Sequence, residues 1–140
     1  MLTPRQIELI QDSFVHVVPI SDVAAKIFYD RLFELRPEFR RMFPSDMEIQ
    51  RGKLMSTLAA VVQGLNDLSA IVPAVQDLGR RHVDYGVADE DYEPVGAALL
   101  YTLERGLGDL WVAELAEAWG AAYTVLSSTM VAAAVEKRAA

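Results

Sequence analysis

Apolar positions return every three or four residues along nearly the whole chain, which predicts helices that each bury one face. Thr3 is a capping residue, Pro4 suits a first helical position, and Gln6 sits where a capping box places its partner. Ile7, Leu9, Ile10, Phe14 and Val17 give that first helix an apolar side, and Pro19 stops it. Ser21 and Asp22 start a second, which carries Val23, Ile27, Phe28, Tyr29, Leu32, Phe33 and Leu35. Pro37 pushes Arg36 away from helical angles, so a corner falls there. A short helical turn leads to Met42 and Phe43, with a loop at Pro44-Ser45-Asp46.

From about Met47 to Leu65, the residues Gln50, Leu54, Thr57, Leu58, Val61 and Leu65 fall on one helical face. Asn66-Asp67 breaks the pattern. The next helix, expected to hold Pro73 in its first turn, carries Val75, Leu78 and His82. Residues from Gly86 to Asp91 connect it to two long helices, about Tyr92 to Leu107 and about Leu110 to Lys137, with the turn between them marked by Gly106 and Gly108. Lys137 to Ala140 is expected to fray. No stretch alternates at period two, and no repeat or strict heptad is visible. The expectation is an all-α fold of seven or eight helices, forming one domain over residues 1–140.

Composition narrows the chemistry. The net charge of −7 argues against nucleic acid and against anionic membrane surfaces, both of which need cations. With no cysteine, disulfides, thiolate metal sites, Cys nucleophiles and a covalently attached haem are excluded. The N-terminus has no basic segment followed by an apolar core, and no unbroken apolar run approaches about 20 residues. A cytoplasmic protein without stable membrane insertion is expected.

Only two histidines are present. His16 ends the first helix and reads as solvated. His82 stands four residues after Leu78 on one helical face, so the Leu78 carbonyl can accept from Nδ1 and leave Nε2 free for a metal. A lone histidine there is more often an ordinary packed side chain. Yet haem iron asks for a single protein ligand, because the porphyrin supplies four. Phe43 reads equally as a core aromatic. Tyr29 needs a partner for its hydroxyl, and Gln50 is the one polar side chain opening an otherwise apolar stripe.

Taken in order, these residues resemble the single-domain bacterial globins related to the globin module of flavohaemoglobins. The resemblance runs the full length. It is carried by Phe28-Tyr29, Arg36-Pro37-Glu38, Phe43, Gln50 to Met55, Val62-Gln63-Gly64, Leu78 to His82, Tyr85-Gly86-Val87, and Tyr92 with Pro94-Val95-Gly96. It implies a globin fold around a non-covalent haem b. His82 would be the proximal iron ligand, Phe43 would stack on the haem face, and Leu54 would wall the distal side. Tyr29 and Gln50 would be the distal pair. Phe28, Leu78, Tyr85, Val87, Tyr92 and Val95 would border the cofactor, and Lys53, Arg80 and Arg81 are candidates for its propionates. O₂ held at the iron carries partial negative charge, so a phenol O–H aimed at it in a dry pocket stabilises it.

One departure stands out. In flavohaemoglobins the proximal histidine is backed by a tyrosine and a glutamate. Tyr92 matches the tyrosine, but Ala134 falls at the glutamate position and Glu136 lies on another face. Two functions follow from the resemblance. One is reversible binding of O₂, also CO and NO, for transport or storage. The other is oxidation of NO to nitrate, with an external reductase because the 140 residues hold no flavin or nicotinamide module. A haem-free sensor domain is a third reading, and a monomer or weak homodimer is expected. Trp111, Trp119 and Tyr123 read as core or subunit contacts. The alanine-rich face from Met130 to Ala134 suits either a partner or a close helix crossing within the chain.

Overall fold

The first cap forms as its residue types dictate: Thr3 Oγ1 accepts from the Gln6 N–H and Gln6 Oε1 accepts from the Thr3 N–H, each at 3.0 Å. A computed structural model describes residues 2–140. The helices are α1 (Pro4–Val17), α2 (Ser21–Leu35), α3 (Glu48–Gly64), α4 (Leu68–Asp84), α5 (Tyr92–Leu107) and α6 (Ala113–Ala139). Among the described residues there is no strand. The all-α class therefore holds, and the expected seven or eight helices resolve, among the described residues, into six α-helices joined by short 3₁₀ turns. Arg36, before Pro37, leaves helical angles at φ −141° and ψ 82°, which makes the expected corner.

Three corrections concern the helices. Pro73 lies inside α4 rather than in its first turn, because the 3₁₀ turn Leu65–Asp67 leads straight into a helix that starts at Leu68. The proline removes one helical hydrogen bond, to the Ser69 carbonyl. Ser69, Ala70 and Pro73 are exposed, so water can replace it. Gly106 is still helical, and the turn falls at Gly108, whose φ of +55° suits a residue without Cβ. The C-terminus does not fray at Lys137: α6 continues to Ala139, because Lys137 and Arg138 find acceptors on and after α4.

Three apolar clusters hold the helices. The largest gathers Ile10, Phe14 and Val17 of α1 with Leu103 and Leu107 of α5 and Trp119 of α6. Trp119 is buried, and its Nε1 donates to Ser13 Oγ at 3.0 Å, so the indole N–H is satisfied inside the core. The second joins Phe28, Tyr29 and Leu32 of α2 to Phe39, Met47 and Ala98. The third joins Val75 of α4, Tyr92 of α5 and Met130 of α6. α5 contributes to all three, and packs most extensively against α2.

α4 lies along α6, and the two backbones come close at Gly79. A Cβ there would stand 2.5 Å from the Met130 carbonyl oxygen and 2.7 Å from its Cα. The alanine-rich stretch of α6 thus serves a close crossing within the chain, with Ala133 and Ala134 buried. The sequence shows no unbroken apolar run of membrane length, yet two helical stretches, Glu48–Asp84 and Ala113–Ala139, are long and apolar enough on average to cross a bilayer. Leu, Val, Ile and Ala raise that average, and both stretches contribute to the packed clusters.

Candidate functional site

His82 occupies the last turn of α4. Its Nδ1 lies 2.7 Å from the Leu78 carbonyl oxygen, so the ring nitrogen donates there and its orientation is set by its own helix. Nε2 has no hydrogen bond among the described residues. Burial of the ring lowers its pKa below the usual histidine value; the Leu78 carbonyl works against this, and the Arg81 charge adds to it. A neutral imidazole with a free Nε2 is the form that ligates a metal. Among the described residues, no three His, Asp or Glu side chains are grouped to hold a bare ion.

The turn after His82 is tightly determined. The Val87 N–H donates to the His82 carbonyl and the Gly86 N–H to that of Val83, both at 3.0 Å, with Gly86 at φ +88°. This is a Schellman motif, and it occupies the His82 carbonyl as well as closing the helix. Leu78 and Val87 pack with Tyr92 in the third cluster. The Tyr92 ring lies 6.2 Å from that of His82, at 27° between planes.

The Tyr92 hydroxyl is buried and has no partner among the described residues. Its pKa is raised by burial, further by Asp89, and lowered in part by Arg138. Ala134, which stands where the resemblance would put a glutamate, is buried, and Glu136 is exposed. Tyr123 instead donates to the Tyr92 backbone carbonyl, at 2.6 Å. Burial, with Tyr92 nearby, raises the Tyr123 pKa.

The aromatic group of the second cluster gathers on α2 and the corner after it. Tyr29 is buried between Phe28, edge-on at 5.0 Å, and Phe43, edge-on at 5.4 Å. Phe33, which the sequence reading assigned no role at the site, stands 5.6 Å from Phe43 and carries Arg40 over its outer face. The Arg40 guanidinium also donates to the carbonyls of Phe43, Pro44 and Ser45, which holds the corner that delivers Phe43. Gln50 Nε2 of α3 donates to the Tyr29 hydroxyl oxygen at 3.1 Å. Burial raises the Tyr29 pKa and the Gln50 contact partly offsets it, so the phenol keeps its proton.

Leu54 and Val95 pack against this group, and Leu78 and Val87 against the other. All four, like Phe43, Gln50 and His82, are only half-buried. Apolar side chains packed on one side and open on the other can wall a slot. The expected residues thus fall into two packed sets. Phe28, Tyr29, Phe43, Gln50, Leu54 and Val95 form one; Leu78, His82, Val87 and Tyr92 form the other. Lys53, Arg81 and Tyr85 join neither set and are exposed, with Tyr85 5.4 Å from the His82 ring. Arg80 is paired with Asp77 at 2.7 Å. The Gly86 turn and the Gly79 contact were missed as positioning elements; a glycine just past a helical pattern is a readable signal for the first.

The family model described as Globin matches residues 26–130. The chain is 28% identical over 134 residues to a protein named Flavohemoprotein from Bacillus subtilis (strain 168), over 94% of this chain and 34% of that protein. It is 30% identical over 135 residues to the Flavohemoprotein of Bordetella parapertussis, over 94% and 33% respectively. The chain therefore spans about a third of the length of these curated relatives. Among solved structures it is similar to a bacterial globin from Campylobacter jejuni, with TM-score 0.83, 25% identity, and coverage of 99% of this chain and 100% of that one. It is also similar to an engineered carbene transferase from Rhodothermus marinus, described as a candidate nitric oxide dioxygenase, with TM-score 0.89, 26% identity, and coverage of 99% and 97%.

Proposed function

Because this chain belongs to the globin family, we propose that it is a b-type haem protein that binds O₂ reversibly, with CO and NO as further ligands. The residues present fit a flat, mostly apolar group that needs one ligand from the protein. His82 offers a neutral, free Nε2, the slot walls are apolar, and the orphaned Tyr92 phenol lies beside the ligating ring. Bound haem supplies an open coordination position for a diatomic gas and, when reduced, an electron.

The chain's own residues do the rest. His82 would hold the iron, and the Leu78 carbonyl aims its ring. Phe43, packed edge-on against Tyr29, presents a flat aromatic wall, while Leu54, Leu78, Val87 and Val95 exclude water. Lys53 and Arg81, exposed and next in sequence to Leu54 and His82, would suit the carboxylates at the cofactor's edge.

The observation that carries the reading is the Gln50–Tyr29 contact. Because Gln50 donates, the phenol oxygen accepts, and its own proton remains free for a bound gas. Gln50 thereby orients the donor, and burial keeps it protonated. The test is the absorption spectrum of protein loaded with haemin, reduced, and exposed to O₂ or CO. Reversible spectral changes on oxygenation are expected; a protein that takes up no haemin would overturn the proposal.

The similar structure described as a candidate nitric oxide dioxygenase supports a second reading, oxidation of NO to nitrate with electrons from a separate reductase. Sustained NO consumption in the presence of an added reductase would favour it over simple binding, and a single turnover would not.

A further inference from the structure

The last turn of α6 reaches the segment that carries His82 from outside the slot. Lys137 Nζ donates to both carboxylate oxygens of Asp84 at 2.8 Å and to the Arg80 carbonyl at 3.3 Å. Arg138 Nη1 donates to Asp89 Oδ1 at 2.7 Å and its Nη2 to the Val87 carbonyl at 3.0 Å. The acceptors lie before and after His82, on the helix and on the connection that follows it. The backbone contact at Gly79 holds the same helix to α6 one turn earlier.

We propose that Lys137 and Arg138 form a C-terminal clamp, acting as positioning residues that hold the His82 imidazole toward the slot. The proposal rests on the haem-binding reading above. The imidazole follows the backbone of residues 78–82, because its Nδ1 is tied to the Leu78 carbonyl. That backbone is free to turn only as far as the connection after it allows. The Schellman motif closes the connection from within, and the two cations close it from α6. Ordinary fold stability does not require this arrangement: both ion pairs are half-exposed and lie outside the apolar clusters. Half-exposed pairs are individually weak and screened by salt, so the clamp should be salt-sensitive where a packed contact would not be.

The experiment uses the full chain loaded with haemin and compares the wild type with Lys137→Met/Arg138→Met, and with Asp89→Asn as a milder variant. Transfer of haemin to excess apomyoglobin should be about five-fold faster in the double variant, the order expected for two half-exposed pairs. The iron–histidine stretching band of the reduced form, read by resonance Raman, should shift or broaden in both variants. Raising NaCl should speed haemin loss from the wild type and leave the double variant nearly unchanged. Lys26→Met, which removes the exposed Lys26–Asp30 pair on α2, should alter neither readout. The exchange Asp84→Lys with Lys137→Asp rebuilds the ion pair but not the bond to the Arg80 carbonyl, and should keep the band closer to its wild-type position than Lys137→Met alone does. Equal haemin loss, an unmoved band and the same salt response in all variants would overturn the clamp and leave the haem reading intact. Failure of the wild type to take up haemin would overturn both.

Discussion

Gln50 on α3 and Tyr29 on α2 are joined by a hydrogen bond of 3.1 Å, with the amide as donor and the phenol oxygen as acceptor. The direction of that bond decides which group can face a ligand. Tyr29→Phe removes the donor itself, and a hydrogen bond to a charged group is worth about 1.5–3 kcal/mol, so O₂ dissociation should accelerate roughly 10- to 100-fold. Gln50→Leu removes only the group that orients the donor, and an acceleration of about ten-fold or less is expected. Stopped-flow dissociation rates in the opposite order would make Gln50, and not Tyr29, the ligand's partner.

His82→Gly should leave the apoprotein folded, because the ring is half-buried and lies at the end of its helix. The change in urea stability should stay within about 1 kcal/mol, that of a glycine late in a helix. The haemin-loaded variant should lose the spectrum of five-coordinate, histidine-ligated iron, and added imidazole should restore it. A variant that keeps that spectrum unaided would point to another ligand.

Gly79→Ala should destabilise the fold by about 1–3 kcal/mol, the usual cost of forcing atoms into a closed contact. A Cβ at Gly79 meets backbone of Met130, which cannot rotate away as a side chain can. Urea denaturation measures the loss, and an unchanged midpoint would mean that α4 and α6 separate readily.

Tyr92→Phe should be neutral or stabilising by about 1 kcal/mol, because it removes a buried hydroxyl that finds no acceptor. A loss of more than about 1 kcal/mol would show that the phenol has a partner in solution, bound water being the simplest.

Much of this was legible in the sequence, for reasons that differ by residue. The Thr3 cap and the Arg36 corner are local, set by neighbours a few positions away, and both form as read. The His82–Leu78 bond is local too, since a helix brings position i to i+4. The pairing of Tyr29 with Gln50 was legible only through the family resemblance, because α2 and α3 must pack before the two meet. The close approach at Gly79 was not legible, nor were the acceptors of Lys137 and Arg138. Each depends on where α6 crosses a helix about 50 residues away. Pro73 misled because a proline usually sits near a helix start, and here the 3₁₀ turn before it supplied an earlier one.

Gly79 and His82 are three residues apart on α4, and the first of them touches the backbone of another helix. An α-helix advances about 100° for each residue, so that touch fixes the angular setting of everything carried on α4. A single residue inserted between the two would swing the imidazole by about 100° while leaving the glycine seated. A chain could then keep both residues and the same helix, and still turn the imidazole away from its present setting. The spacing is a clocking device, and it constrains which insertions this helix can accept far more tightly than its hydrophobic pattern does.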